Sequence, residues 1–288
     1  AEQYIVSGQE YLLKNDWKTA IIEFKNAIKQ SPENVIARKL LGRTYLRTYN
    51  IPAAIIELKK ARDLDSTDGE IQLYLGKSYA QSRKDDNLLK EVAVNSTYPN
   101  NINADIHALR ALALFRKNDT KAALQELETA KNTDSSTSDV RLALASYAKF
   151  QNKLEEQKEW LKPLLEKGGG VADAWSQMAE IKKSQGLLKE AEANYSKAIK
   201  LRGLIHADYM QRALVRIALN DFKSAGEDIA LLKAANLQWP TIAHAEGLIE
   251  YLNKNYDQAQ SKLVNVNTKF PNFAPTQLIL GLVHYQKG

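Results

Sequence analysis

The side chains best suited to catalysis or metal binding are scattered along this sequence. The four histidines are far apart: His107, His206, His244 and His284. No two have the i, i+4 spacing with which one face of a helix binds a metal. Adjacent acids such as Asp85 and Asp86 point about 100° apart on a helix, so they cannot flank one bond as paired catalytic carboxylates do. Without cysteine or a glycine-rich phosphate loop, the sequence predicts no catalytic residue, no metal site and no cofactor.

A second pattern is a set of cations at helical spacing. Lys39, Arg43 and Arg47 recur every four residues, which places them along one side of a helix. Like charges at this spacing repel by a few tenths of a kcal/mol per pair, so an anionic partner, or nearby acids such as Glu70, must offset the repulsion. Arginine also pairs bidentately with carboxylates. We therefore predict that Lys39, Arg43, Arg47 and Lys77 bind an acidic ligand, with a solvated helix face as the alternative.

Composition excludes several classes of protein. The 288 residues are 44% hydrophobic and 26% charged, as in folded proteins, and the net charge is +6. No apolar run approaches the roughly 18 residues that span a bilayer. There is no Arg-rich tract or zinc finger, so we expect no nucleic-acid partner. The chain begins at Ala1 without an initiating Met, so we expect any targeting signal or membrane anchor to lie outside it.

The elements that position these residues follow from a repeat of about 34 residues. Gly8 and Tyr11 mark one face of a first helix, and Ala20, Phe24 and Ala27 mark one face of a second helix. The same slots return in later repeats, for example as Gly42, Tyr45, Ala54, Leu58 and Ala61, then as Gly247, Ala259 and Leu263. Small residues let the two helices approach closely, and the bulky residue fills the gap to the next pair. Since no helix pair buries its apolar face alone, we predict an all-α stack of repeats with one continuous core.

This pattern resembles the tetratricopeptide repeat family over essentially the whole chain. The resemblance implies an all-α, right-handed superhelical solenoid of about eight and a half helix-turn-helix repeats, in a single array over residues 1–288. The expected bounds are 1–34, 35–68, 69–103, 104–137, 138–171, 172–205, 206–239, 240–273, and a first helix of a ninth repeat at 274–288. The Gly168-Gly169-Gly170 run is expected to end a helix and form a flexible connection.

In this family the first helices line a concave groove. The corresponding positions carry the basic residues above in the second and third repeats and apolar residues in the last ones. The predicted apolar groove residues are Met210, Leu214, Leu248, Tyr251, Leu252 and Tyr285. Contact with repeats outside this chain is the alternative reading of the apolar stretch. The family's two-carboxylate clamp needs Asn where this chain has Gln9, Arg43 and Lys77, so we do not expect that function.

The predicted function is an interaction scaffold that holds a peptide or protein segment in the groove. The alternative is a factor that associates with an anionic polysaccharide through the basic residues. Segments such as 20–27 and 53–61 resemble the large repeat lipoproteins of bacterial PEP-CTERM/exosortase systems. That resemblance implies a periplasmic or outer-envelope-facing protein linked to exopolysaccharide and protein sorting, with the cytoplasm as the alternative location.

Overall fold

The computed structural model describes residues 1–166, 170–202, 206–235, 237 and 239–288. This part of the chain forms α-helices and no β-strand, which confirms the all-α prediction. The helices are α1 (Glu2–Leu13), α2 (Trp17–Gln30), α3 (Val35–Arg47), α4 (Ile51–Leu64), α5 (Gly69–Gln81), α6 (Asp85–Glu91), α7 (Asn100–Arg116), α8 (Thr120–Asp134), α9 (Ser138–Phe150), α10 (Leu154–Glu166), α11 (Ala172–Ser184), α12 (Leu188–Arg202), α13 (His206–Ala218), α14 (Phe222–Ala234), α15 (Pro240–Leu252), α16 (Tyr256–Lys269) and α17 (Ala274–Lys287). Odd-numbered helices are the first helices of the repeats, and even-numbered helices are the second helices.

The turn inside each repeat has a recurring backbone geometry. One residue per turn adopts a left-handed conformation, with φ between 57° and 64° at Asn15, Tyr49, Arg83, Asn118, Asn152, Asn220 and Lys254, and 75° at Gly186. The next residue often caps the second helix, and its side chain accepts a hydrogen bond from the helix backbone at Asp16, Asn50, Asp119 and Asp221. Asn and Gly suit the left-handed position, whereas Tyr, Arg and Lys do not. The repeat packing therefore sets this geometry even where the local sequence disfavours it.

Glycine slots allow the two helices of a repeat to approach closely. A Cβ atom added at Gly8 would lie 2.5 Å from the Phe24 ring, and one added at Gly42 would lie 2.6 Å from Cγ of Leu58. Both distances are too short for a methyl group, so these positions require glycine. The predicted role of the small-residue slots is confirmed.

The chain divides into two compact units, Ala1–Trp160 and Leu161–Gly288. The predicted single array over residues 1–288 stays a prediction. The division falls within α10, whose interior contains Pro163. The Gly168-Gly169-Gly170 run predicted as a connection lies largely outside the described residues.

In the first unit, the first helices form one layer. Helix α5 contacts α3 and α7, and α7 contacts α9, while the second helices α2, α4 and α8 each pack against their own first helix and the next one. Large buried side chains such as Phe24, Leu58 and Tyr79 fill the space between the layers. Lys39, Lys77, Asp105 and Asp139 lie on the first helices α3, α5, α7 and α9, and we call the side of these helices that carries them the inner face.

The second unit repeats the same packing over α11 to α17. Each second helix packs against its own first helix and against the next, as α12 does against α11 and α13. Buried Tyr195, Ile229 and Leu263 fill the positions that Phe24 and Leu58 occupy in the first unit. A buried carboxylate, Asp228 on α14, binds two guanidinium groups from α13, which ties the seventh repeat together.

Candidate functional site

The four predicted basic residues lie on the first helices of the first unit, but two of them are paired within the protein. The Nζ atom of Lys39 lies 2.8 Å from Asp68 Oδ2 and 2.9 Å from Glu70 Oε2. Burial by itself lowers the pKa of Lys39, but hydrogen bonds to these two carboxylates outweigh it and raise the pKa above its usual value. Lys39 therefore remains charged, and Asp68 and Glu70 accept its hydrogen bonds. Glu70 is thus one of the acids that offset its charge.

Lys77 belongs to a charge cluster that joins three first helices. Its Nζ atom lies 2.6 Å from Oδ2 of Asp139 on α9, and Asp105 of α7 lies beside the pair. Burial lowers the pKa of Lys77, but the charge of Asp139, the hydrogen bond to Asp139 and the charge of Asp105 together outweigh it, so the pKa is raised. Burial, followed by the charge of Asp139, raises the pKa of Asp105 to about 7. Lys77 therefore ties α5 to α7 and α9.

Arg43 and Arg47 have a different environment, because both side chains are exposed. The guanidinium carbon of Arg43 lies 5.5 Å from the ring centroid of Tyr74, and that of Arg47 lies 5.4 Å from the ring centroid of Trp17. Both distances fall within the range of cation–π attraction. The two aromatic rings therefore hold two exposed guanidinium groups, one turn apart along α3, at the inner face.

The predicted apolar groove residues fall into three environments. Met210 is only 3% exposed and packs in a core with Ile229 and Leu232, so its prediction as a groove residue is wrong. The repeat register alone assigned it to the groove, whereas its side chain is buried in a cluster that also contains residues of α14 and α15. Leu214 and Leu248 are partly buried against the same core.

The other three apolar residues lie on α15 and α17. Tyr251 is partly buried, with its ring centroid 5.9 Å from that of Tyr256. Leu252 is 40% exposed and Tyr285 is 82% exposed. The six predicted apolar residues do not share one environment. The groove role of Tyr251, Leu252 and Tyr285 stays a prediction.

An aromatic cluster on the inner face was missed at the level of sequence. Phe115 of α7 stacks on Tyr147 of α9, with ring centroids 5.4 Å apart and planes 18° apart. Phe150, at the end of α9, lies 6.4 Å from Phe115 and is 73% exposed. The repeat register carries a signal for these residues, since Phe115 and Phe150 fall in the groove positions that Leu46 and Arg47 occupy in the second repeat.

Two of the four histidines, His107 and His244, have hydrogen-bonding partners on other helices. His107 Nδ1 lies 2.5 Å from Glu126 Oε2, and Arg110 Nε donates to the same carboxylate. His244 is buried, with Nδ1 3.1 Å from the Thr276 hydroxyl. Among the described residues, no group of three or more His, Cys, Asp or Glu side chains is placed to hold a metal ion. No helix in the described part of the chain has the length and apolarity needed to span a bilayer.

Comparison with known protein families identifies the helix pairs. Models described as "Tetratricopeptide repeat" match residues 6–69 and residues 172–203. Residues 6–69 and 172–203 are therefore identified as tetratricopeptide repeats. Such repeats generally act as non-catalytic scaffolds for protein–protein interaction, with extended surfaces formed by stacked helix pairs. A comparison with curated protein sequences finds no match.

Solved structures of several proteins share the fold at low sequence identity. The structure of Pseudomonas aeruginosa pilF is 15% identical and matches 86% of this chain and 96% of that chain, with a TM-score of 0.53. A chain of the APC/C hetero-tetramer Cut9-Hcn1 is 12% identical, with a TM-score of 0.68 over 94% of this chain and 55% of that chain. An IFIT1 monomeric mutant, solved with m7Gppp-AAAA, is 13% identical and has a TM-score of 0.58 over 98% of this chain and 76% of that chain. At these identities the likeness establishes the fold alone.

Proposed function

We propose that the inner face of the first unit binds an acidic segment of a partner protein, and that Arg43 and Arg47 make the principal contacts. The observation that carries this proposal is the pair of exposed guanidinium groups held over Tyr74 and Trp17. The guanidinium of Arg43 lies over the ring of Tyr74, and a guanidinium in that arrangement can still pair with a carboxylate through its N–H edges. Stacking also orders the side chain before binding, which reduces the entropy lost when a ligand contacts it.

The surrounding charges favour a short acidic segment over a long polyanion. Lys39 and Lys77 already pair with carboxylates of the protein, so a polyanion that used all four cations would have to displace Asp68, Glu70 and Asp139. Arg43 forms no ion pair with a carboxylate in the described part of the chain. A segment with an acidic side chain can pair with Arg43 without displacing these three carboxylates.

The cellular setting is part of the proposal. We place this scaffold in a bacterial envelope system for exopolysaccharide production or protein sorting, facing the periplasm or the outer envelope. The support is the resemblance of segments 20–27 and 53–61 to repeat lipoproteins of such systems. Membrane attachment would then depend on an anchor outside this chain.

The experiment is selection from a random peptide library displayed on phage, with the purified chain as bait. We expect the selected peptides to be rich in Asp and Glu. The double variant Arg43→Glu, Arg47→Glu should abolish that enrichment. A control with the same change in charge, Lys29→Glu with Lys131→Glu, alters exposed lysines on the second helices α2 and α8 and should leave the enrichment unchanged.

Three outcomes contradict the proposal. The first is equal acidic enrichment with the inner-face variant and the control. The second is selection of peptides with no acidic bias. The third is binding of alginate, an anionic polysaccharide, that is tighter than that of any selected peptide and falls steeply with salt, which would support the polysaccharide alternative.

A further inference from the structure

Two carboxyl groups from different helices meet at the inner face of the first unit. Asp105 of α7 and Asp139 of α9 lie within hydrogen-bonding reach of each other. Lys77 of α5 joins them, with its Nζ atom 2.6 Å from Oδ2 of Asp139. Three neighbouring first helices therefore meet at a cluster of two carboxyl groups and one ammonium group, which we call the carboxyl pair and its lysine.

Hydrogen-bond donors are missing from the carboxyl pair. Oδ1 of Asp105 is buried and accepts no hydrogen bond from the described part of the chain. Oδ2 of Asp139 likewise accepts no well-aligned hydrogen bond, although Lys77 Nζ lies close to it. A buried carboxylate oxygen without a donor is costly. Protonation of Asp105 would reduce this cost, because the neutral group is easier to bury and its hydroxyl can donate to Asp139.

The end of α9 supports the same arrangement. Thr137 caps this helix, and its hydroxyl oxygen accepts a 3.3 Å hydrogen bond from the backbone N–H of Val140. The hydroxyl proton of Thr137 can then be donated to Asp105, which it contacts. Asp105 is therefore tied to the first turn of α9 by two side chains, Thr137 and Asp139.

Other charged groups around α7 are paired away from this cluster. On α5, Tyr74 is the further titratable group that acts on Lys77, one turn before it. The remaining pairs lie on the α8 side of α7, where Glu126 binds His107 and Arg110, and at the end of α7, where Asp85 and Asp86 of α6 bind Arg116 and Lys117. Lys77 is therefore the cation that faces the carboxyl pair.

We infer that Asp105 and Asp139 share one proton, and that release of this proton loosens the packing of α7 against α9. With the proton bound, one negative charge faces Lys77 and the cluster is neutral. After release, two carboxylates face one ammonium group in a half-buried site, where they repel each other more than they would in water. The first unit thus contains a pH-sensitive connection between its first helices. This inference does not depend on the proposed function.

Proton linkage gives the direction of the effect. Burial, followed by the charge of Asp139, raises the pKa of Asp105 from 3.8 to about 7. When α7 separates from α9, Asp105 regains its ordinary pKa, so between about pH 4 and pH 7 the opening releases a proton. Opening then becomes up to about tenfold more favourable per pH unit in this range. Above about pH 8 the dependence levels off, because the closed form has lost the proton as well.

Hydrogen exchange tests the consequence for the helices. Exchange of the backbone amides of α7 and α9 is measured from pH 5 to pH 8, and each rate is divided by the rate of the unfolded chain at the same pH. We expect protection in the wild type to fall at least about tenfold over this range. Asp105→Asn should remove the dependence, because an amide donates to Asp139 at every pH. Glu128→Gln, which replaces an exposed carboxylate on α8 in the same way, should retain it.

Carbon-13 NMR of the aspartate carboxyl groups follows the proton itself. The Asp105 signal of the wild type should titrate with a midpoint near pH 7, the value to which its pKa is raised. His107 of α7 is a second group whose residue type changes charge in this range. His107→Gln should leave both the carboxyl titration and the fall in protection intact, which separates the carboxyl pair from this histidine.

Three results overturn the inference. The first is an Asp105 signal that does not titrate between about pH 5 and pH 8, and this is decided on the wild type whether or not Asp105→Asn folds. The second is protection that falls equally in the wild type and in Asp105→Asn. The third is a pH dependence of protection that disappears in His107→Gln.

Discussion

Two glycines of the second unit should respond in opposite directions to the same substitution. Gly247 lies in the interior of α15, and an added Cβ atom would lie 2.6 Å from both Cγ and Cδ2 of Leu263. Leu263 is fully buried, so it cannot move away freely. Gly226 lies in the interior of α14, and an added Cβ atom there would have no heavy atom within 4 Å.

The expected magnitudes follow from this geometry. Overpacking of about 1 Å costs about 1–3 kcal/mol, while Ala in place of Gly in a helix gains up to about 1 kcal/mol. Gly247→Ala should therefore lower the free energy of unfolding by about 1–2 kcal/mol. Gly226→Ala should raise it by about 0.5–1 kcal/mol, because only the helix preference changes.

Hydrogen exchange with mass spectrometry is the assay, read on peptides from α14 to α16. Exchange reports the stability of each segment, which suits a repeat protein that need not unfold in one step. We expect faster exchange across α15 and α16 in Gly247→Ala and slower exchange across α14 in Gly226→Ala. Equal protection in both variants would refute the explanation that close helix approach requires glycine at Gly247.

Two further predictions concern buried charges. Asp228→Asn should lower the free energy of unfolding of the second unit by about 3 kcal/mol. The Asp228 side chain is 2% exposed and accepts hydrogen bonds from Arg212 and Arg216, so the variant would remove the counter-charge that these two arginines share. Urea unfolding followed by circular dichroism measures this, and a change below about 1 kcal/mol would contradict it. Asp105→Asn should raise the melting temperature at pH 8 and flatten its dependence on pH. The pKa of Asp105 is raised from 3.8 to about 7, so its stabilising contribution is complete below about pH 4 and is lost as the pH rises through 7. Melting curves from pH 4 to pH 8 test this, and identical profiles for variant and wild type would contradict it.

The helix pairs were predictable from sequence because the repeat depends on local spacing. Gly8, Phe24, Gly42 and Leu58 each contact the other helix of their own repeat, so a few positions at fixed separation specify the packing. The bounds of the two compact units were not predictable from these slots, because each slot specifies packing within one repeat.

The candidate site was predictable in position but not in chemistry. Register placed Arg43 and Lys77 correctly on first helices, yet it did not reveal that Asp139, two repeats later, pairs with Lys77. The exposure of a side chain depends on its rotamer and neighbours, which is why Met210 is buried and Phe150 is exposed although both were in groove register. Pairing across repeats and side-chain direction are tertiary properties that a repeat pattern does not encode.

Photo-crosslinking tests the central claim, that the inner face of the first unit holds a peptide segment, most directly. A selected acidic peptide that carries a diazirine amino acid next to its acidic pair is irradiated with the chain, and the modified residues are mapped by mass spectrometry. The account predicts crosslinks on α3 and α5 near Arg43 and Tyr74, which are lost with Arg43→Glu, Arg47→Glu. Crosslinks confined to the second helices, or to the second unit, would contradict it.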